Sequence, residues 1–453
     1  MVYNENMKAI SLFSSAGIGD LALEKNGIEV IVANELLADR VSMFAANFPK
    51  AATIAGDIWE LKEEIVTATR DALDGAELDF FLATPPCQGM SKNGQGKLLN
   101  ETRRGNRPHL DPRNRLIIPT MDIAVALRPR VLVLENVPEM RNTIIEDEKG
   151  EYVNVVEYVR LRLGDEYEGK AEVVQFADYG VPQRLQRLIT FFSRDERLRE
   201  SLRRHGTLLP ERTHASEAGL FRKRWVTVRD IVADLPFLDA KDKPSATSAI
   251  PYHRVSVLEP KKYKWIAHTP PEKGAFDNQC ANQKCGYDKN PTHGSEHDGN
   301  GVNRARTDTP IYCVKCGELL PRPFTIVKDG KKRLMNGYTS AYKRMRWDLP
   351  APTLTTNLSY PSSDHKLHPT QNRVLSLYEA FKLHTLDRYD YHWKMADGSV
   401  ARDSLIREVI GESIPPYALE VIFSHLIGLV IGQDKADGNA KIAKEKTPAF
   451  ARI

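Results

Sequence analysis

Five cysteines stand in the 453-residue chain, and their spacing divides them into two chemistries. Cys87 is alone in "LATPPCQGMSKNGQGK", at the carboxyl end of an apolar run and at the mouth of a polar loop that holds Gly89, Gly94 and Gly96. A cysteine kept for packing would sit inside "FFLAT", whereas Pro85, Pro86 and Gln88 surround this one. Exposure matters because the thiolate is the attacking species. Cys87 therefore reads as a nucleophile, with packing, metal ligation and a disulfide as the alternatives, and the glycines after it suit a loop that closes over a substrate.

The other four form Cys280-x4-Cys285 and Cys313-x2-Cys316, 27 residues apart, and the second cysteine of each pair precedes a glycine, Gly286 and Gly317. The pattern resembles the paired knuckles of a zinc ribbon. Four thiolates complete a tetrahedron and leave no open position, so one structural zinc is expected, with chance clustering as the alternative. His293 and His297 lie between the pairs as substitute ligands.

A second set of reactive side chains falls where apolar runs stop. "LFSSAGIGD", residues 12–20, holds Gly17 and Gly19, which let the backbone approach a ligand at a helix start or simply make a tight turn. Glu35 ends "EVIVANE", 18 positions after Gly17, where a carboxylate holds ribose hydroxyls. Asp57 in "AGDI" is placed to accept from an adenine amino group; singly, each is also an ordinary strand-end acid. "VLVLENV" ends in Glu135 and Asn136. A carboxyl there is costly unless paired or employed, and desolvation raises its pKa, which suits an acid that donates near neutrality; the alternative is a helix cap. "DYGVPQRLQRL" puts Gln183, Arg184 and Arg187 between two expected strands, as a solvated turn or as a carbonyl-binding group that orients Glu135.

These residues need a scaffold that gathers strand ends, and residues 8–194 supply its pattern. "KAISLF", "EVIVANE", "TIAGDI", "DFFLATPP" and "RVLVLENV" read as strands, and "GDLALEKNG", "ADRVSMFAANF" and "LIIPTMDIAVAL" as helices between them. The expectation is an α/β, doubly wound, mostly parallel sheet, on which ligands sit at the carboxyl ends of strands. From about residue 196 the chain turns rich in Pro, Gly, Lys, Arg and His, and periodic patterns resume with "RVLSLYEAFKLHTL". Lys+Arg number 64 against 60 Asp+Glu, a net charge of +4 that permits nucleic acid without requiring it. With 41% apolar residues, no secretory signal and no run of membrane-span length, a cytoplasmic protein is expected, and "YALEVIFSHLIGLVIG" reads as a buried helix.

In order, "FSSAGIGD", Glu35, Asp57, "PPCQ", "ENV", "YGVPQRLQR", "RMRWDLPAPTLT" and "IGESIPP" resemble the ordered motifs of the cytosine-C5 DNA methyltransferase family over nearly the whole chain. The resemblance implies a class I, Rossmann-like, S-adenosylmethionine-dependent enzyme that methylates a flipped cytosine in duplex DNA through a covalent Cys87 adduct. It assigns catalytic positions to Cys87, Gln88, Glu135, Asn136 and Arg187, and cofactor contacts to Phe13, Ser14, Gly17, Gly19, Glu35, Asp57, Ile58 and Pro85. The family's Q-x-R-x-R has Leu185 for its first arginine, which leaves Arg184 to take over that contact, and its G-N-S-V-P has Glu412 for asparagine.

The same resemblance implies a catalytic domain over 1–195, a smaller target-recognition domain with the zinc site over 196–345, a catalytic return over 346–433 and a polar tail over 434–453. The basic stretch "KRLMNGYTSAYKRMRW" suits phosphate and base-edge contacts, or a solvated face. The expected setting is a monomer in bacterial or archaeal restriction-modification, acting on double-stranded DNA and not on membranes. An RNA cytosine methyltransferase of the same fold and a non-catalytic zinc-containing DNA-binding protein are the alternatives. The long recognition segment disfavours the first, and intact Cys87, Glu135 and Arg187 the second.

Overall fold

The computed structural model describes residues 7–86, 111–292, 295–297, 303–305, 309–335 and 340–432, without the side chains of 295–297 and 303–305. Strands β1 (Met7–Leu12), β2 (Ile28–Glu35), β3 (Ala52–Ala55), β4 (Phe80–Ala83), β5 (Val131–Asn136), β6 (Glu168–Gln175) and β7 (Gln186–Ser193) make one seven-stranded sheet. Its order is β3-β2-β1-β4-β5-β7-β6. The neighbours among β1–β5 run parallel, and β7 is antiparallel to both β5 and β6. The doubly wound, mostly parallel sheet expected from the sequence is thus present, with the order reversing between β1 and β4.

Each central strand is buried on both faces, as a sheet covered on both sides requires, and its residues alternate between two apolar layers. On β5, Val131 and Val133 belong to one layer and Leu132 and Leu134 to the other. The first layer takes in α1 (Leu21–Lys25), α2 (Ala38–Asn47), α6 (Glu196–His205), α7 (Asp403–Glu412) and α8 (Pro416–Val430). The second takes in α3 (Ile58–Leu73), α4 (Ile117–Leu127) and α5 (Val155–Leu163). By this two-residue period Glu135 continues the first layer and Asn136 the second.

The C-terminal return is fixed by a buried ion pair. Arg373 bonds Glu379 with both guanidinium ends, at 2.7 and 2.8 Å, and Glu379 also closes a capping box with Ser376 at the start of the helix Leu377–Leu383. Burial works to raise the Glu379 pKa, and the Arg373 contact more than reverses it, so the carboxylate is ionised in the core. Arg373→Met strands that charge, and a loss of about 3–5 kcal/mol in denaturant unfolding is expected.

A third apolar cluster lies apart from the sheet layers. It joins Trp265, Ile266, Phe276, Phe324, Tyr342 and Leu367 among others, and is crossed by two buried arginines. Arg322 donates to the carbonyls of Asn278, Pro291 and Pro310, and Arg344 to those of Thr269, Ile266, His368 and Gln371. Arg344 belongs to the basic stretch expected to face nucleic acid. It is instead a buried strut, because its five donors are what close the loops around this cluster. No single helix among the described residues is long and apolar enough to cross a membrane; α7 and α8 would pass only as a pair bent by 43°, and both are packed into the first layer. The polar tail lies outside the described residues.

Candidate active site

The predicted functional side chains that are described gather along the carboxyl edge of the sheet. Glu135 is the fifth residue of β5 and lies opposite Ile189 of β7. Arg187 is two residues along β7 on the same face, a diagonal cross-strand neighbour. Its Nε stands 2.7 Å from Glu135 Oε1, with both side chains largely buried. The pair is a close ion pair whose N–H is not aimed well enough for a hydrogen bond, so Oε1 keeps its bonding capacity. Burial pushes the Glu135 carboxyl pKa up, and Arg187 offsets part of the rise. Glu135 caps no helix: the 3-10 turn that follows starts from Val137 without a side-chain cap.

Arg187 lies within β7 rather than in a loop between strands, because Gln186–Ser193 already pairs with β6 from its first residue. Residues 183, 185 and 187 share a face; Gln183 and Leu185 are buried, and Arg184 is exposed on the other side. The expected takeover by Arg184 is therefore corrected: Leu185 is packing in the first apolar layer, and Arg184 points away from the Glu135 side.

Asn136 fastens the approach to the nucleophile. Its Nδ2 donates to the Pro85 carbonyl at 3.0 Å and its Oδ1 accepts from Val137 N at 2.9 Å, which ties the chain after β4 to the end of β5. Cys87 and Gln88, with the glycines that follow them, lie outside the described residues. Pro85 is the predicted site residue nearest to Cys87 that is described.

The loop after β1 is tightly wound. Phe13, Ser15 and Gly17 all take positive φ, at 58°, 47° and 83°. At Gly17 the requirement is double, since a Cβ there would also meet the Phe48 ring at 2.3 Å. Gly19 has no positive φ and sits just before α1. Glu35 holds this loop: its carboxylate accepts from Ser15 N at 3.0 Å and from Leu37 N at 3.1 Å. Ser14 N donates to Asn34 O, and Thr84 Oγ1 donates to Phe13 O at 2.9 Å, so β1, β2 and β4 ends are laced together. Asp57 is exposed and spends one oxygen capping α3 at Trp59 N, the other having no hydrogen bond among the described residues, while Ile58 is buried. Leu36 and Leu37, next to Glu35, and Trp59, next to Ile58, are exposed apolar side chains beside the two acids. Sequence reasoning passed over them, and only their exposure marks them.

Two features behind the site had no clear signal in the sequence. Gln183 Nε2 contacts His384 Nδ1 at 3.2 Å, and His384 Nε2 meets Ser413 Oγ at 3.0 Å, which donates on to Ile410 O. Burial, with Arg187 nearby, holds the His384 pKa at about 3, so the ring is neutral. The short strand Gln183–Arg184, just before the strand carrying Arg187, is thereby tied to the C-terminal return. Glu412, at the departure from the family pattern, pairs with Arg40 of α2.

Beneath the β1 loop, Asp20 is buried with Oδ1 unpartnered, and burial pushes its pKa up to about 7 despite the Ser11 hydroxyl. The folded chain thus keeps this proton where the unfolded chain has lost it, so stability falls as pH rises from about 4 to 7. Asp20→Asn removes a penalty on the order of 4 kcal/mol at the alkaline end, and the expected result is a variant more stable at pH 7 whose melting temperature varies less with pH.

The four remaining cysteines converge. All four Sγ atoms lie within 4.8 Å of one another, with Cys280–Cys316 at 3.6 Å and Cys285–Cys313 at 3.9 Å. No disulfide forms among them. Thiolates around a tetrahedral zinc stand about 3.8 Å apart, given Zn–S bonds of about 2.3 Å. Gly286 and Gly317 take φ of 57° and 70°, the left-handed turn a side chain resists. His293 and the side chain of His297 lie outside the described residues.

The profile of C-5 cytosine-specific DNA methylases matches residues 7–428. Type II methyltransferase M1.HgaI of Avibacterium volantium is 28% identical over 92% of this chain and 97% of its own length. Type II methyltransferase M.AgeI of Thalassovita gelatinovora is 24% identical over 90% and 96%. Among solved structures, a DNA modification methyltransferase candidate encoded within an E. coli prophage superposes with a TM-score of 0.54 at 17% identity, covering 94% of this chain and 99% of that one, a likeness of fold. With the family profile spanning both the sheet that carries Glu135 and Arg187 and the C-terminal return behind it, this chain belongs to the C-5 cytosine-specific DNA methylase family.

Proposed function

We propose that this S-adenosylmethionine-dependent DNA cytosine-C5 methyltransferase acts through Cys87, Glu135 and Arg187 on a cytosine flipped out of a specific duplex sequence. The observation that carries the assignment is the buried Glu135–Arg187 pair at the strand edge that also leads to Cys87. Carbon 5 of cytosine is a weak nucleophile. The Cys87 thiolate adds to carbon 6, and Glu135 gives its proton to N3 as the ring's electrons move onto carbon 5. Arg187 holds the O2 carbonyl and the Glu135 carboxylate left by that transfer. Bound S-adenosylmethionine supplies an electrophilic methyl group. Once carbon 5 is methylated its proton leaves to solvent, Glu135 recovers the N3 proton and the Cys87–carbon 6 bond breaks, restoring the thiolate and the aromatic ring. A stacked base cannot be reached in this way, which is why the nucleotide flips.

The cofactor fits the β1, β2 and β3 ends. Glu35 keeps lone pairs for two ribose hydroxyls, Asp57 keeps one oxygen for the adenine amine, and Leu36, Leu37 and Trp59 offer apolar cover for the ring beside Ile58. Phe13, Ser14, Gly17 and Gly19 frame the methionine end, and Pro85 the approach to the reacting atoms.

Cys280, Cys285, Cys313 and Cys316 hold one structural zinc, with sulfur spacings close to those of a thiolate tetrahedron in its support. That metal stiffens a recognition domain running over about 196–345, whose exposed Lys331, Lys332 and Arg333 suit phosphates better than Arg344 does. The type II names of the relatives favour a restriction-modification setting, and a monomer suffices for the chemistry. Full chain incubated with tritiated S-adenosylmethionine and either plasmid DNA or transfer RNA tests the reading: label enters DNA and stays in it as 5-methylcytosine. Label in transfer RNA alone, or label unaffected by Cys87→Ser, refutes it.

A further inference from the structure

The two most exposed large apolar side chains among the described residues lie on a loop at the carboxyl edge of the sheet. Residues 216–222 are closed at their base by a short parallel ladder of His214–Ala215 with Lys223–Arg224. At the tip Leu220 and Phe221 are each 91% exposed, bracketed by the Gly219 N–H donating to Arg222 O at 2.9 Å. Two adjacent apolar side chains held in water are a cost that a soluble surface avoids unless they have a partner.

The base of the loop is held firmly. Asp178 accepts from Thr213 N at 3.0 Å through its carbonyl and from Trp225 Nε1 at 2.9 Å through Oδ1, and it pairs with Arg212 at 3.3 Å. Asp178 lies in the turn directly after β6, whose residue Val174 is opposite Arg187. The loop therefore stands on the same edge as the Glu135–Arg187 pair. Arg222, Lys223 and Arg224 follow the tip, all exposed and none in an ion pair among the described residues, against one acid, Glu217, within 216–224.

We propose that Leu220 and Phe221 form an apolar wedge that enters the bound duplex beside the target nucleotide, while Arg222, Lys223 and Arg224 engage the flanking phosphates. A protein partner would explain the apolar pair but not the three exposed cations beside it on the catalytic edge, of which Arg224 has acids nearby, Asp230 and Asp348; a polyanion with an apolar interior explains both. The wedge props open the stack from which the cytosine leaves, so Leu220 and Phe221 are positioning residues. The inference rests on the duplex-DNA methyltransferase reading.

The test first identifies the methylated sequence by bisulfite sequencing of plasmid DNA treated with the full-length enzyme. Wild type and the double variant Leu220→Ser/Phe221→Ser are then compared on two synthetic duplexes, one fully paired and one with the target cytosine mispaired. A wedge variant is expected to lose about tenfold or more in kcat/KM on the paired duplex and to come back within about threefold of wild type on the mispaired one, because a mispaired base leaves the stack at little cost. An unchanged kcat/KM on the paired duplex, or an equal loss on both, overturns the wedge. Failure of the wild type to label any duplex would instead overturn the methyltransferase reading, which keeps the two failures apart. Both side chains are exposed, so the melting temperature should not move, and a fall in it shared with lost activity on both duplexes also counts against the proposal.

Discussion

Glu135→Gln is expected to lower methyl transfer to duplex DNA by about 10²- to 10⁴-fold, the range for losing a positioned general acid, with S-adenosylmethionine binding unchanged. The carboxyl is largely buried between β5 and β7, and burial pushes its pKa up against the opposing effect of Arg187, which favours the acid form relative to an ordinary glutamate. Glutamine keeps the shape and hydrogen-bonds N3 and the amine of cytosine, but it cannot transfer the proton that balances thiolate addition. The pH dependence separates this role from simple positioning. Activity needs Cys87 as thiolate and Glu135 as acid, so kcat/KM should rise as the thiol ionises and fall as pH climbs through the Glu135 pKa of the free enzyme. Glu135→Gln should lose the alkaline limb along with the rate. A variant that keeps full rate, or keeps both limbs at reduced rate, contradicts the assignment. Cys87→Ser removes the nucleophile itself, and no methyl transfer is expected from it in the tritium assay.

The second large effect is expected from the cysteine tetrad. Cys313 is nearly fully buried and bridges toward Cys285, so Cys313→Ser both breaks the tetrahedron and leaves a hydroxyl among thiolates. Structural zinc contributes on the order of 10 kcal/mol to small folded units, and here it would add to the apolar cluster around Trp265 and Tyr342 in a loop-rich segment. Metal analysis should give about one zinc per wild-type chain and a small fraction of that for the variant. Hydrogen exchange should then show lost protection around residues 278–326, while β1, β4 and β5 stay protected because their layers do not include the cluster. Sequence-specific methylation should fall with the metal. A metal-free wild type that keeps both protection and specificity would remove zinc from the account.

Much of the catalytic half was legible because its signals are local. Strand periods of two and acids at the ends of apolar runs are properties of neighbouring residues, and β1, β2 and β5 fall within a residue of their expected places, whereas β3 and β4 each stop three residues short, at Ala55 and Ala83, because Asp57 caps a helix rather than ending a strand and the Thr84–Pro86 segment leaves the sheet. The cysteine spacings likewise carry their own geometry. Arg187 was harder: the short break after Gln183–Arg184 hides that β7 begins at Gln186, so an expected loop residue turned out to be part of the sheet. Arg344 misled for a related reason. Its charge reads as surface, yet the carbonyls of Ile266, at the end of a helix, and of Thr269, His368 and Gln371 satisfy its donors, and nothing near it in the chain announces them.

The sequence by itself determined the succession of strands and helices that makes a doubly wound sheet, the residue types at each strand end, and the division of five cysteines into one isolated thiol and four that belong together. Tertiary structure alone decided which of those residues meet. Glu135 and Arg187 face each other only because β7 runs antiparallel to β5 in a register that puts them diagonally on one face. His384 and Ser413 reach Gln183, and Glu412 reaches Arg40, only because the C-terminal return packs back onto the first layer. Pairings between residues some 50 to 370 positions apart are set by register and packing, and no local pattern in the chain encodes those partners.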